Sequence, residues 1–523
     1  MRSWFMLALL IASISCAESQ SSWNQIVEDQ NQSLAEGSLQ LVGEERFWVV
    51  DEHQKPVPGA QILVGYDRDN PFAGNLLETD ASGVAFIPAE WSSPLPVTVQ
   101  APGYITLTFP SCLPGTRVLN LSRQEPPDQK EIKGTTTEYG RLIQDGKVDF
   151  SLVFPALNRE QMLFFDLATV ISPHSDRIPI LGNSTEIPSN LALPQQLESY
   201  FGFRIPLNKP DYRSFVRTPG QYTISAIHGE FPLQRVISDI RAGKSFFEMI
   251  NHFTFKQAGQ RTVSVETDTA NVDLPVNQIP FPSTINVRAP KFGENREMIS
   301  LALLERGGVF TPTDLKRLTS GQNLDLKTNP NMGTPAVLSL MLQTSIASNE
   351  NLPREFLRLL APWMILAQAE AGASPLMRAP LEPDFGRLSF VLVSAQEDVA
   401  PQFLPLIERP VLNPNTNTMT FSVPQLPEGV VAAAMGLILS EIETVDTGIV
   451  KNERRTRLWE VWSSSWLEQV QLPTLPLERK ADRSYRWEVL FLARPANFTG
   501  VSGTPSKVDL NTITHVTRNI LDI

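Results

Sequence analysis

Along this chain, apolar runs seldom extend more than a few positions before proline, glycine or asparagine interrupts them. In the first legible stretch, FWVVDEHQKPVPGAQILVG, Pro56 to Gly59 separate two β-branched runs, so the backbone has to turn there. In TDASGVAFI, Asp80 and Ser82 offer local hydrogen-bonding oxygens and Gly83 a permissive backbone, the makings of a tight turn before the strand VAFI. PVTVQAPGYITLTF then gives an alternating strand, a corner at Pro102 and Gly103, and a second alternating strand. Turn signals recurring roughly every ten residues between such runs predict a small antiparallel β-sandwich over 45–122.

The same plan of strand, proline-rich turn and strand continues. A charged connector, RQEPPDQKEIKG, leads into a β-rich unit over 134–275, with strands at GKVDFSLVFPAL, MLFFDLATV, IPSNLALPQ, YFGFRIPL and GQYTISAIHGEF. Within it Leu233, Val236, Ile237 and Ile240 fall at helical spacing and Gly243 breaks the run. Ser245 and Glu248 then form a capping-box sequence ahead of Phe246, Met249, Ile250 and Phe253. This predicts two short amphipathic helices near 232–254, packed over one side or end of the β-domain. Their polar faces mix charges, which disfavours a membrane-surface role. A third β-rich unit follows over 276–395, in which REFLRLLAP suits a helical turn, and a C-terminal β-sandwich-like unit over 396–523. The apolar run GVVAAAMGLILS is short enough to be a buried strand. The predicted fold class is all-β: tandem Ig-like or transthyretin-like β-sandwich domains with a short two-helix insertion.

Composition supports that division. At about 150 residues per domain, 523 residues suggest three or four, and the 42% hydrophobic content is enough to fill their cores. The 42 prolines are spread along the chain, which favours short strands over long helices. Lys and Arg number 44 against 56 Asp and Glu, a net charge of −12 without long single-sign runs. Such a surface repels phosphate backbones, and no stretch interleaves clustered Lys/Arg with aromatics, so nucleic acid is set aside as a partner.

The N-terminus has the three parts of an export signal over 1–17: Arg2, the apolar WFMLALLIA, and small residues. The polar stretch 18–44 reads as a flexible tether. Ser13 and Ser15 ahead of Cys16 resemble a bacterial lipobox, in which the thiol is acylated and the chain is cut just before it. The sequence departs from that pattern at Ser13, where the motif usually carries Leu. Cys16 is the expected lipidation site; ordinary signal cleavage after Ala17 is the alternative and would discard it. Either cut leaves Cys112 without an intramolecular partner. Ala17, where Asp commonly marks inner-membrane retention, points by the same resemblance to an outer-membrane lipoprotein, with a soluble periplasmic or secreted protein as the alternative. The Asn-x-Ser/Thr sequons at Asn31, Asn120, Asn183 and Asn497 carry meaning only in a glycosylating host.

The set VVDEHQKPVPGAQI, TDASGVAFI and VTVQAPGY resembles the carboxypeptidase regulatory-like domain, a transthyretin-like β-sandwich also grouped with starch-binding (carbohydrate-binding-like) folds. The resemblance covers residues 45–122, under a sixth of the chain. It implies a sandwich serving as an accessory module in an exported bacterial protein, without catalytic residues of its own. No carboxypeptidase zinc motif accompanies it, so the family name implies no activity here.

Candidate chemistry is sparse. His53, His174, His228, His252 and His515 are far apart, and no zinc-ligand spacing, nucleophile elbow, P-loop or dinucleotide-binding glycine pattern is present. Ser172, His174 and Asp176 lie close together in SPHSD, but a triad needs convergence in space, and a solvated loop is the plainer reading. Asp67, Asp69 and Asn70 in YDRDNPFAG are weak candidates for oxygen ligands to calcium; the spacing departs from an EF-hand loop, and an acidic turn explains them as well. Trp459, Trp462 and Trp466 in RLWEVWSSSWLEQ are candidate contacts for a sugar ring or a partner, against a core or domain-interface role.

Two function classes remain. The first is a non-enzymatic cell-envelope lipoprotein, a modular binding, adhesion or structural scaffold reaching the membrane through its lipid and a glycan or envelope protein through its surface, with no cofactor. The second is an exported hydrolase, glycosidase-like, whose paired carboxylates leave no local motif.

Overall fold

A computed structural model of the chain describes residues 45–124, 130–139, 146–159, 162, 175–180, 183–193, 209, 211–216, 219–242, 244, 246–266, 269–346, 381–395, 398–446, 451–474, 483–497 and 512–523. The signal and tether, Cys16, Ser172, His174, Gly243, Ser245 and the REFLRLLAP run lie outside the described residues. Strand makes up 61% of the structure and helix 4%, so the fold is all-β. In the expected interval lie the helices Leu233–Arg241 and Phe246–Met249, followed by the 3-10 turn Ile250–His252. Among the described residues no helix is long and apolar enough to cross a membrane.

The N-terminal sandwich sets one three-stranded layer, in the order Val84–Phe86, Arg46–Asp51, Arg117–Leu121, against a second layer ordered Leu77–Glu78, Gln61–Val64, Leu95–Gln100, Thr106–Cys112. Phe47, Val49, Ile62, Val97, Val99, Leu119 and Leu121 alternate inward to make its core. Local chemistry sets the turns. Asp80 accepts the backbone N–H groups of Ser82 and Val84, and Gly83 turns at φ +74°, where an added Cβ would sit 2.6 Å from the Val49 carbonyl oxygen. The reversal expected at Pro56 to Gly59 is divided in two. Asp51 accepts the N–H groups of His53 and Lys55 and Gln54 adopts φ 60°, so the chain turns before Pro56 and again at Gly59.

The second layer of that sandwich does not end at Thr106–Cys112. This strand pairs in parallel with Lys451–Ser463, placing Thr106 opposite Trp459 and Thr108 opposite Val461. The sheet then continues through Val430–Asp446, Ser484–Pro495, His515–Asp522, Leu381–Ser394, Thr334–Ile346, Arg296–Arg306, Val309–Leu318 and Leu157–Asn158, thirteen strands in all. Within it, Leu381–Ser394 pairs with Thr334–Ile346 on one side and with His515–Asp522 on the other. Residues Phe47–Ile523 form one compact unit. The run GVVAAAMGLILS lies in Val430–Asp446, with Ala434, Met435, Leu437, Ile438 and Leu439 buried.

A further sandwich packs the five-stranded sheet Leu191–Ala192, Lys147–Pro155, Gly220–Pro232, Thr254–Val265, Ile279–Pro280 against Asp211–Val216, Lys130–Thr137 and Thr269–Asn271, around Ile132, Val153, Tyr212, Ile224 and Ala226. Backbones touch here because two glycines let them. A Cβ on Gly134 would lie 1.8 Å from the Val272 carbonyl oxygen, and one on Gly259 would lie 1.9 Å from that of Pro275. Gly134→Ala and Gly259→Ala are therefore expected to destabilise the fold by about 1–3 kcal/mol or more. Gly293→Ala, with nothing within 4 Å, should change stability by under about 0.5 kcal/mol. Urea midpoints of the three variants measure the difference.

Candidate functional site

Trp459 and Trp462 meet the N-terminal sandwich at its junction with the long sheet, and Trp466 packs on the neighbouring strands of that sheet. Trp459 is fully buried, its indole N–H donating to Thr108 Oγ1 at 2.8 Å, and Thr108 in turn shares a 2.8 Å hydrogen bond with Thr98. Its ring lies 5.5 Å from that of Trp487. Trp462 is half-buried and packs on both cores at once, the sandwich around Leu107 and the long sheet around Leu338 and Leu490. Space for that ring comes from Gly436, where a Cβ would meet it at 2.6 Å. Trp466, also half-buried, donates to the carbonyl oxygens of Ala434 and Leu492 and stands edge-on to Phe491 at 5.3 Å. A second bridge lies nearby, where Thr474 N–H donates to the Tyr66 carbonyl at 2.7 Å. The polar atom of each indole is engaged inside the protein, and the apolar faces of Trp459 and Trp462 fill the junction.

The aromatic side chains that do face solvent are others. Trp48 is 43% exposed, Phe86 53% and Phe72 43%. Trp48 and Phe86 stand on the outer face of the three-stranded layer, with Val118 opposite Trp48. Sequence reasoning passed over Trp48, yet the signal is there: it sits between the inward Phe47 and Val49, the outward position of an alternating strand.

Asp67 accepts the N–H of Asp69 at 2.9 Å in an exposed turn that also contains Asn70. Among the described residues no group of three or more His, Cys, Asp or Glu side chains is placed to hold a metal ion. Asp176 pairs with Arg213 and, at 3.1 Å, with Lys209. Lys209 is buried and donates to the carbonyls of Ser189, Leu191 and Asp211 at 2.9, 2.8 and 3.0 Å, fastening neighbouring chain segments. Burial pushes its ammonium pKa down, and the Asp176 charge restores part of that loss.

One constellation arises only from strand pairing. Asp149 and Ser151 on Lys147–Pro155 share a sheet face with His228 on Gly220–Pro232, Ser151 lying directly opposite His228. His228 Nε2 meets Asp149 Oδ1 at 3.0 Å and Nδ1 meets the Gln257 amide at 3.3 Å. With both ring nitrogens engaged, His228 has no lone pair for the Ser151 hydroxyl, and Ser151 itself is fully buried. The histidine is thus engaged by Asp149 and Gln257. Beside it Glu230 bridges Lys256 at 2.6 Å and Lys147 at 2.9 Å. Burial raises the Glu230 pKa, but the two ammonium groups outweigh it and hold the carboxyl below its ordinary value.

No protein-family model and no curated protein matches this chain. Among solved structures, the Bacillus anthracis TIE protein is 11% identical over 57% of this chain and 45% of its own, with a TM-score of 0.15. This chain thus spans less than half the TIE protein's length. A streptococcal ancillary pilin is 10% identical over 57% of this chain and 89% of its own, at a TM-score of 0.12. The major pilin subunit BcpA of Bacillus cereus is 9% identical over 69% and 97%, at 0.13. Overlaps this slight carry no argument about function, and the fold assignment rests on the strands themselves.

Two outcomes follow from the geometry. Trp459→Ala is expected to cost about 3–5 kcal/mol, as a fully buried aromatic. Trp459→Phe should leave iodide-accessible tryptophan emission unchanged, whereas Trp48→Phe lowers it. The second outcome concerns acid. Because the folded Glu230 has a pKa below its ordinary 4.5, its contribution is complete above that value and lost as the pH falls through the folded range. Glu230→Gln should lower the melting temperature at neutral pH and flatten its decline in acid; parallel acid profiles for both proteins would exclude this role.

Proposed function

We propose that this chain is a non-enzymatic protein of the cell envelope, a stiff β-sandwich scaffold anchored to a membrane by a lipid on Cys16, that presents its outer faces to a glycan or an envelope protein. The observation that carries the reading is the junction at Trp459. There the N-terminal sandwich, the module resembling a carboxypeptidase regulatory-like domain, is hydrogen-bonded strand to strand into the long sheet. A module joined this way is held in a fixed orientation, which suits presentation at a distance from an anchor and supplies no hinged cleft. Among the described residues, His228, His252 and Asp176 each have a partner within the fold, which supports the same reading. The hydrolase alternative needs two carboxylates facing across a cleft. The buried carboxylates among the described residues are each engaged within the protein: Glu297 pairs with Arg317, Asp314 accepts the N–H groups of Leu315 and Lys327, and Asp51 accepts those of His53 and Lys55.

The lipid determines the address, and by the lipobox resemblance the address is the outer membrane. Intact-mass analysis of the mature protein is expected to show a diacyl or triacyl group on Cys16, and Cys16→Ala should move the protein from the membrane fraction to the soluble one. A free chain beginning at Glu18 would overturn the anchored reading and leave a soluble exported protein.

A further inference from the structure

Six tryptophans lie among the described residues, and five of them are taken up by the fold. Trp91, Trp459, Trp462 and Trp466 donate their indole N–H to oxygens of the protein, and Trp487 is fully buried beside Trp459. Trp48 is the exception. It is exposed on the strand Arg46–Asp51, and among the described residues its indole N–H has no acceptor. Val118 stands directly opposite it on the parallel neighbour Arg117–Leu121, and Phe86 belongs to the strand on its other side. All three side chains are exposed.

At one end this face is bordered by amides. Val50, two positions beyond Trp48, stands opposite Asn120, and Asn120 Oδ1 accepts from Gln54 Nε2 at 3.1 Å. The turn fixes Gln54 there, since its own N–H donates to the Asp51 carbonyl at 2.9 Å with φ at 60°. A carboxamide both donates and accepts, so this one bond leaves the pair a carbonyl oxygen and further N–H groups to offer. No outward position of the three strands carries a carboxylate, and Arg46 is the only charged residue among them.

Building on the reading of the chain as a presenting scaffold, we propose that this face is a platform for a neutral glycan, with a hexose ring stacked on Trp48 and its hydroxyls bonded by Gln54 and Asn120. A pyranose ring has apolar C–H faces and a rim of hydroxyls, which matches an exposed indole in an apolar strip bordered by amides. Size favours a sugar over a protein. Three partly exposed side chains offer on the order of 300 Å² of apolar surface, against roughly 800 Å² per partner in a stable protein interface. Charge favours a neutral sugar over an acidic one, because the chain carries −12 overall.

The test uses the full chain and three probes: cellohexaose, laminarihexaose and maltohexaose. At least one is expected to bind by calorimetry and to lower iodide-accessible tryptophan emission, since Trp48 is the exposed indole. Trp48→Ala should weaken that binding about tenfold or more, and Asn120→Ala should weaken it several-fold. Phe72→Ala, which removes an exposed aromatic outside these three strands, should leave it unchanged. Trp48→Phe keeps a ring, so binding persists while the emission response disappears. Cys16→Ala should bind as the natural protein does, so failure of the platform and failure of the lipid anchor are read separately. Three results would overturn the proposal: no binding of any of the three probes, binding that Trp48→Ala leaves intact, or iodide access that falls with rising protein concentration in the absence of sugar, which assigns the face to a second copy. Should Trp48→Ala melt earlier than the natural protein, Trp48→Thr, which suits an outward strand position, is judged by the same outcomes.

Discussion

The parallel pairing of Thr106–Cys112 with Lys451–Ser463 is the constraint on which the rest of this structure depends. A parallel pair cannot be closed by a local turn, so the two strands come from opposite ends of the described chain. Trp459 supports it from beneath, with its N–H on Thr108, 351 residues away in sequence, and its ring against Trp487. Trp462 fills the space between the two cores that this pairing brings together. Removing the pairing would expose the edge of Thr106–Cys112 and the apolar surface under both tryptophans. The junction therefore couples sandwich and sheet energetically as well as geometrically.

The same molecule manages close approach and termination with small devices. Gly134, Gly259 and Gly436 stand where a side chain would collide with a carbonyl oxygen or an indole ring, so neighbouring layers and strands lie at contact distance. Elsewhere polar side chains stand in for backbone partners. Lys209 gathers three carbonyls, Asp80 closes a turn, and the Asn251 amide bonds both the N–H and the carbonyl of Arg317. Each satisfies main-chain groups that regular pairing leaves over. None is catalytic in form.

How much of this was legible in the sequence follows from range. Turns at Asp80–Gly83 and at Gly103 are local, since the acceptor, the permissive backbone and the flanking alternation lie within a few residues. The two helices were legible for the same reason, through a periodic stripe and a break. Trp459, Trp462 and Trp466 left two readings open because the groups that engage them, Thr108, Gly436 and Leu492, lie on other strands. Nothing in single-strand alternation specifies which strand will be the neighbour. Turn signals likewise mark where strands end, not which strands pair, so the pairing of Leu381–Ser394 with both Thr334–Ile346 and His515–Asp522 is out of their reach. Trp48 was overlooked although its outward parity was readable. Asn251 carried no signal at all, because a lone Asn in a helical turn has many uses.

Sandwich and sheet form one mechanical and thermodynamic body through the Trp459 junction. The most direct measurement follows hydrogen exchange across a urea series at two places in the intact chain, the amides of Val97 and Val99 in the sandwich and those of Val489 and Leu490 in the long sheet. Coincident midpoints in the natural protein, separating in Trp459→Ala with the sandwich opening first, are the predicted result. Separate midpoints in the natural protein would contradict it, because the sandwich would then be an independent module that merely rests beside the sheet.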